Sequence, residues 1–336
     1  MTRKQFIAGL ATSSLLFPGS HPSPAATEKS AVVYEAFDER MVNGNKPIGT
    51  KVDEKTVIAA VNSIIKKMSG KNDIGKAWQK LLPGVTPQSK IAIKLNLLHP
   101  YNGPQFAILK AVVLGLKSMF KDSFPPGHIF AFDNTADNIS GRVDATYGPD
   151  NLNALGIVRN PDEYTGDAMT VAGKTMYISK TLSDADYGIC MVASRRHQYF
   201  AGQLSGVIKN MMGALSTNTT RYEALMASNE GGFHDNSNYA AYIDMFKNYM
   251  KDHLHLYIAD HVLIPLNEAR PYVRVGNRIV IGKDPCAVDT RSVDILNSLF
   301  TFEESEKPTT TVPMALAKAG IGTIKYELKT IPVSLD

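Results

Sequence analysis

The sequence predicts an α/β protein, a mainly parallel, helix-covered sheet with a smaller inserted or appended lobe. Three observations predict it. Strand-length runs such as "KIAIKLNLL", "HIFAFD" and "DYGICMVA" are apolar on both parities, as strands covered on two faces are. Segments of helical spacing separate them, the alternation that builds crossover units. The composition is ordinary: 44% hydrophobic and 20% charged over 336 residues, with 25 Gly, 18 Pro and two Cys. It excludes collagen-like, low-complexity and disulfide-framework chains and leaves ample material for a core.

Residues 1–30 read as a signal peptide and disordered start. Arg3 and Lys4 form a positive n-region, Phe6 to Phe17 a short apolar h-region, and Ser23 and Ala25 supply small residues for cleavage near Ala25. "TRKQFI" resembles a twin-arginine signal with Lys in the second basic position, and the general secretory route is the alternative. Export to the periplasm or the exterior of a bacterium is therefore expected. Removing residues 1–25 takes away Arg3 and Lys4 and no acid, so the net charge falls from +4 to +2. With no dense basic cluster, nucleic acid is not an expected partner. No run of about 18 apolar residues is present, so no membrane span is expected in the mature chain.

Residues 31–336 are expected to form a single α/β domain, because no Pro/Ser-rich linker divides them. "AVVYEAF" (31–37) opens as a strand. Over 53–69, Val57, Ile58, Val61, Ile64, Ile65 and Met68 recur at helical spacing, with acids at the start, lysines at the end and Gly70 as the stop. A strand over 90–98, a largely buried helix over 104–120 and a strand over 128–133 follow, then a short helix around 149–155. The middle reads as a hairpin over 168–179, a buried strand over 186–193 and a short helix over 204–215. Residues 216–235 are polar and Gly-rich, a candidate mobile insertion. The remainder reads as a helix over 239–250, strands over 253–259 and 277–282, helices over 285–300 and around 313–320, and a last strand over 323–331.

In open α/β sheets ligands bind outside the carboxyl ends of the strands, so the residues ending each strand are the site candidates. Strand 90–98 carries Lys94 and Asn96 and runs into His99. Asp133 and Asn134 end the next. Ser194, Arg195, Arg196 and His197 follow strand 186–193, Asp260 and His261 follow 253–259, and Lys283 and Asp284 follow 277–282. Together they fit a polar cleft along one sheet edge, although loops are polar in any case. Lys94 is the most informative: an ammonium inside an apolar strand either meets an anion or carboxylate, or points outward from an edge strand.

His253 and His255 lie two apart, which would put both on one strand face, a spacing copper and zinc sites use. A polar sheet face beneath a helix is the plainer reading. His197, His234, Asp260 and His261 form the candidate metal set, with a transition metal as the candidate cofactor, although no H-E-x-x-H spacing supports it. Cys190 and Cys286 read as buried thiols or as a mutual disulfide, and two thiols cannot hold an iron–sulfur cluster of the four-Cys type. Asp284 before Pro285 is a good helix N-cap, worth about 1 kcal/mol. Lys209 falls off the apolar arc of its helix, as a solvated lysine does. No G-x-G-x-x-G after a strand, Walker motif, G-x-S-x-G or deaminase signature occurs.

Several segments in order resemble one family, the bacterial and archaeal domain-of-unknown-function 362 proteins. They are "IAIKLNL", "SGVIKNMMG", "GFHDNSNYAAYIDMF", "LYIADH" and "GKDPCAVD", spread over roughly 90–290. The resemblance implies Lys94, Asn96, Lys209, His234 and Asp260 as catalytic candidates, and Asn210, Asp284 and Asp289 as cofactor-binding candidates. Some members carry ferredoxin-like cysteine motifs, which this chain lacks, and "HVLIPLNEARPYV" stands where a Gly-Pro-rich turn is expected. The resulting expectation is an exported small-molecule enzyme of redox or isomerase type. Lys94 and Lys209 would neutralise an anionic ligand, while His234 and Asp260 move protons or hold a metal. The alternatives are a non-catalytic periplasmic metal- or ligand-binding protein and an interaction protein whose site has decayed. Replacing Lys94, Lys209 or His234 is expected to abolish ligand binding while leaving the fold intact.

Overall fold

The computed structural model describes residues 30–44, 51–97, 103–133, 140–159, 168–197, 201–216, 239–266 and 272–335. The main sheet has eight strands: β1 Ala31–Phe37, β2 Ile91–Lys94, β3 Ile129–Phe132, β4 Val158–Arg159, β5 Tyr187–Ala193, β6 Leu254–Pro265, β7 Tyr272–Gly282 and β8 Tyr326–Ile331. Their spatial order is β8-β1-β7-β6-β5-β2-β3-β4. β7 pairs antiparallel with both β1 and β6, and every other neighbouring pair is parallel. Seven strands thus share one direction, the mainly parallel sheet that the sequence predicts.

Both faces are covered, which is why the central strands are apolar on both parities. Ile91, Ile93, Ile189, Met191, Leu256 and Ile258 point into one core, and Ala92, Cys190, Val192, Tyr257 and Ala259 into the other. The first core lies under helices α1 Glu54–Ser69, α2 Ile74–Leu81 and α3 Phe106–Lys117. The second lies under the short helix α4 Val207–Asn210, α5 Pro285–Leu299 and the helix Thr311–Lys318, with the hairpin Ala168–Val171/Lys174–Ile178 added beside it.

α1 begins and ends where its sequence says. Asp53 accepts from the Thr56 N–H at 2.8 Å, and Gly70 closes the helix in the left-handed conformation at φ 69°. α2 has no counterpart in the sequence reading, because eight residues with one Trp give little periodicity; Asp73 caps it through the Lys76 N–H at 2.7 Å. The helix expected over 104–120 stops at Lys117, and Phe120, Lys121 and Asp122 turn left-handed instead at φ 54°, 60° and 62°.

The 204–215 segment is not one helix. It splits into the strand Leu204–Ser205, α4 and a tighter turn Met211–Ala214. The helix of 239–250 is Ala240–Met245 continued by a wide π turn, Phe246–Met250, and a last turn, Lys251–His253. β6 therefore starts at Leu254, and it runs on to Pro265 because β7, itself longer than expected, supplies an antiparallel partner. His253 and His255 consequently do not share a strand face. His253 ends the helix, stacked on Tyr249 at 3.7 Å, and His255 packs edge-on against Tyr187 at 4.8 Å. Among the described residues no helix is long and apolar enough to cross a membrane. The 216–235 insertion lies, but for Ser216, outside the described residues.

Trp78 is the single tryptophan and is fully buried where α2 crosses α3. A Cβ on Gly115 of α3 would sit 2.1 Å from Trp78 Nε1, so the missing side chain makes the crossing. Gly115→Ala is expected to destabilise the protein by about 1–3 kcal/mol through overpacking. Urea unfolding followed by Trp78 fluorescence checks this; an unchanged midpoint and emission maximum would show that the crossing does not depend on Gly115.

Candidate functional site

The chain runs β2, β3, β4 outward in one direction, then returns to the other side of β2 to place β5, β6 and β7. The reversal falls between β2 and β5, and the space beyond their carboxyl ends is where such sheets open a crevice. Lys94 is the last residue of β2 and sits there, on a central strand and only 1% exposed. The edge-strand alternative is thereby excluded. Its ammonium donates to Asp133 Oδ1 at 2.6 Å, to the Leu95 carbonyl at 2.7 Å and to Asn210 Oδ1 at 3.0 Å. Asp133 follows β3, and its other oxygen accepts the Leu97 N–H, so one carboxylate fixes both the ammonium and the chain leaving β2.

Asn210 closes this group from the helix side. Its Nδ2 lies 3.3 Å from both the Met191 carbonyl and Cys190 Sγ, and 3.4 Å from the Lys94 carbonyl. Asn96 continues β2 as a side-chain strand: Oδ1 accepts the Ala193 N–H at 2.9 Å, and Nδ2 reaches the Ala193 carbonyl at 3.4 Å. Lys209 is buried beside Asn210 on α4.

Asp289 holds α4 in place. From α5 its carboxylate accepts the N–H groups of Val207 at 2.7 Å and Ile208 at 3.0 Å, the first turn of the short helix. Gly206 allows that approach, since a Cβ there would lie 2.1 Å from Asp289 Oδ1. Burial pushes the Asp289 carboxyl up to about 7 against the pull of those two bonds. Asp284 does what its N-cap reading says: it accepts from Cys286 and Ala287 at the start of α5, and from Thr323, which ties the end of the chain to that helix.

Asp260 and His261 are neighbours on β6 and point to opposite faces. Asp260 lies on the first face, fully buried, accepting the Val262 N–H at 2.8 Å and the Gln105 N–H at 2.6 Å just before α3. Burial pushes its carboxyl up to about 7. His261 lies on the second face with Nε2 3.1 Å from Ser292 Oγ of α5, and Ser194 Oγ is 3.4 Å from the same hydroxyl. Burial and the charges of Arg291 and Arg278 drive the imidazole down to about 3, so it is neutral.

The structure therefore joins Lys94, Asn96, Asn210 and, through α4, Lys209 and Asp289 into one group at the carboxyl ends of β2 and β5. Asp260 belongs to the opposite face, and Asp284 to the beginning of α5. Among the described residues no set of three or more His, Cys, Asp or Glu side chains is placed to hold a metal ion, so His197, Asp260 and His261 do not form one. His234, the remaining member of that set, lies outside the described residues, as does His99. Both thiols are free and buried, with no disulfide between them; burial raises Cys190 to about 12 and Cys286 further. The group that sequence reasoning undervalued is Asp133. Its signal was available, an acid closing the apolar strand next in order after the lysine strand.

The family described as "Domain of unknown function (DUF362)" matches residues 91–294. The chain belongs to that family. The DUF362 match opens at the first residue of β2 and closes on α5, so it contains the Lys94 group, Asp260 and Asp289, while β1, α1 and β8 lie outside it. No curated protein matches the chain significantly. Among solved structures it is similar to the lactate racemase apoprotein from Thermoanaerobacterium thermosaccharolyticum, with 13% identity, a TM-score of 0.40, and coverage of 90% of this chain and 84% of the other.

Two predictions follow from the buried charges of this DUF362 chain. Lys94→Met leaves Asp133 buried without its ammonium and is expected to cost about 3–5 kcal/mol, and Lys94→Met with Asp133→Asn to recover part of that. Urea unfolding checks it, and a single variant as stable as wild type would contradict the pairing. The expectation that Lys94 can be replaced without loss of stability is thus revised, because its charge has a buried partner.

The second concerns His261. Its folded pKa lies below the unfolded 6.5, so its contribution is complete above pH 6.5 and is lost as pH falls towards 3. Asp260 and Asp289, raised above 3.8, act with the opposite sign, gaining stability as pH falls from 7. His261→Gln removes only the first effect. Its stability relative to wild type is expected to improve by about 2 kcal/mol between pH 7 and pH 5; a difference independent of pH would show that His261 is not held neutral.

Proposed function

We propose that the protein is an exported small-molecule enzyme of redox or isomerase type that binds an anionic ligand in the crevice beyond β2 and β5. One observation carries this reading. At the reversal of strand order, a fully buried ammonium is held rigidly by Asp133 and Asn210, with a second buried lysine, Lys209, on the adjacent helix turn. Asp133 neutralises Lys94 and all three of its N–H donors are engaged, so this pair fixes the end of β2 and α4. The charge that this reading offers to an anion is that of Lys209, and a positive group fixed in advance is what an anion site requires.

In this reading Lys209 and the Lys94 group set the electrostatics of the crevice. Asn96 keeps the ends of β2 and β5 together, and His234, from the segment 217–238, supplies proton transfer or a metal ligand. Asp260 acts by positioning: fully buried, it bonds the start of α3 to β6 through both oxygens. The leader of residues 1–30 carries the chain out of the cytoplasm, with cleavage near Ala25.

The deciding experiment is elemental analysis with native mass spectrometry on protein exported and purified without added metal, followed by a thermal-shift panel of small carboxylates and phosphates. A retained organic mass, or a carboxylate or phosphate that stabilises wild type but not Lys209→Met, is the expected result. A stoichiometric metal lost in His234→Ala would instead assign the non-catalytic metal-binding alternative. A clean apo mass with no response to any anion would overturn the anion site.

A further inference from the structure

Among the described residues β8 is the last strand of the sheet, parallel to β1 on one side and paired with nothing on the other. Its sequence Tyr326-Glu327-Leu328-Lys329-Thr330-Ile331 has Leu328 at the centre and opposite charges on either side. Leu328 is 37% exposed, one of few large apolar side chains among the described residues to be so. The Glu327 and Lys329 side chains, 62% and 38% exposed, lie on the other face with Lys329 Nζ 3.7 Å from Glu327 Oε1, a loose pair that a second copy can exchange for contacts between strands.

The ladder fixes which backbone groups are available. The Ala31 N–H donates to the Lys325 carbonyl at 3.0 Å, and Ala31 stands beside Tyr326 in the register. In a parallel pair this turns the N–H and C=O groups of Glu327 and Lys329 towards β1, and those of Tyr326, Leu328 and Thr330 outward. We propose that this edge is the interface of a twofold dimer, in which β8 pairs antiparallel with β8 of a second copy about Leu328, joining two sheets into one.

Charge selects this register over its neighbours. An antiparallel two-fold pairing that sets at least two of the outward residues Tyr326, Leu328 and Thr330 against one another centres on residue 327, 328 or 329, and only the one on Leu328 engages all three. Centred on Glu327 it sets Glu327 against Glu327, and centred on Lys329 it sets lysine against lysine. Centred on Leu328, each Glu327 faces Lys329 of the other copy, twice, and Leu328 lies against Leu328. The charged residues then fall at the non-hydrogen-bonded positions, where side chains across an antiparallel pair come closest.

The test is sedimentation velocity on the purified full chain, with circular dichroism to confirm that each variant is folded. Wild type is expected to dimerise with micromolar affinity. Glu327→Lys alone and Lys329→Glu alone each set like charges opposite one another, and each is expected to weaken self-association at least about tenfold. Mixing the two single variants restores both opposite-charge pairs and is expected to give a heterodimer of wild-type affinity. A wild type that stays monomeric at about 100 μM, single variants that dimerise like wild type, or a mixture that does not associate would each overturn the proposal. None of these outcomes depends on the ligand of the crevice.

Discussion

A positive charge at the end of a central strand constrains everything around it. Lys94 cannot reach bulk water from β2, and an ammonium without partners there would cost more than a small protein can spare. The fold answers with Asp133 from the neighbouring strand and Asn210 from a helix on the face above. Those two requirements fix the relative placement of β2, β3 and α4, and hence of Lys209. Burying the pair contributes little net stability, but leaving either half alone is expensive. The pair therefore specifies an arrangement more than it stabilises one.

The same logic extends outward. α4 is four residues long, too short to hold itself as a helix. Asp289 supplies acceptors for its first N–H groups, and Gly206 makes room for the carboxylate. Asp289 lies on α5, whose own start is fixed by Asp284 and whose middle is joined to β1 by the Arg291–Glu35 ion pair at 2.7 Å. A chain of buried or half-buried carboxylates, each engaged with backbone N–H groups or a guanidinium, thus runs from β1 to the helix α4 beside Lys94. Cys190 and Cys286 lie within this region as inert thiols, since burial keeps both protonated.

Much of the fold was legible locally. Asp53 and Gly70 delimit α1 because caps act through bonds to residues three or four away. The mixed apolar runs of β2 and β5 announced coverage on two faces. The failures have two causes: α2 is too short to show a period, whereas the division of 204–215 and the extension of β6 and β7 are set by partners distant in sequence. The site divides in the same way. Lys94 stood out as an anomaly in its own strand, whereas Asp289 was singled out only by family resemblance, as a cofactor-binding candidate, and in the structure its carboxylate holds α4.

By itself the sequence determined the class of fold, the direction of most strands and the strand ends where polar groups gather, because these depend on periodicity and on the cost of burying charge. Only the tertiary structure decided which polar groups meet. Asp260 and His261 are adjacent in the chain, yet a strand turns successive side chains to opposite faces, so one serves α3 and the other α5. Lys94, Asp133 and Asn210 are far apart in the chain, yet parallel pairing and a crossover bring them within hydrogen-bond reach.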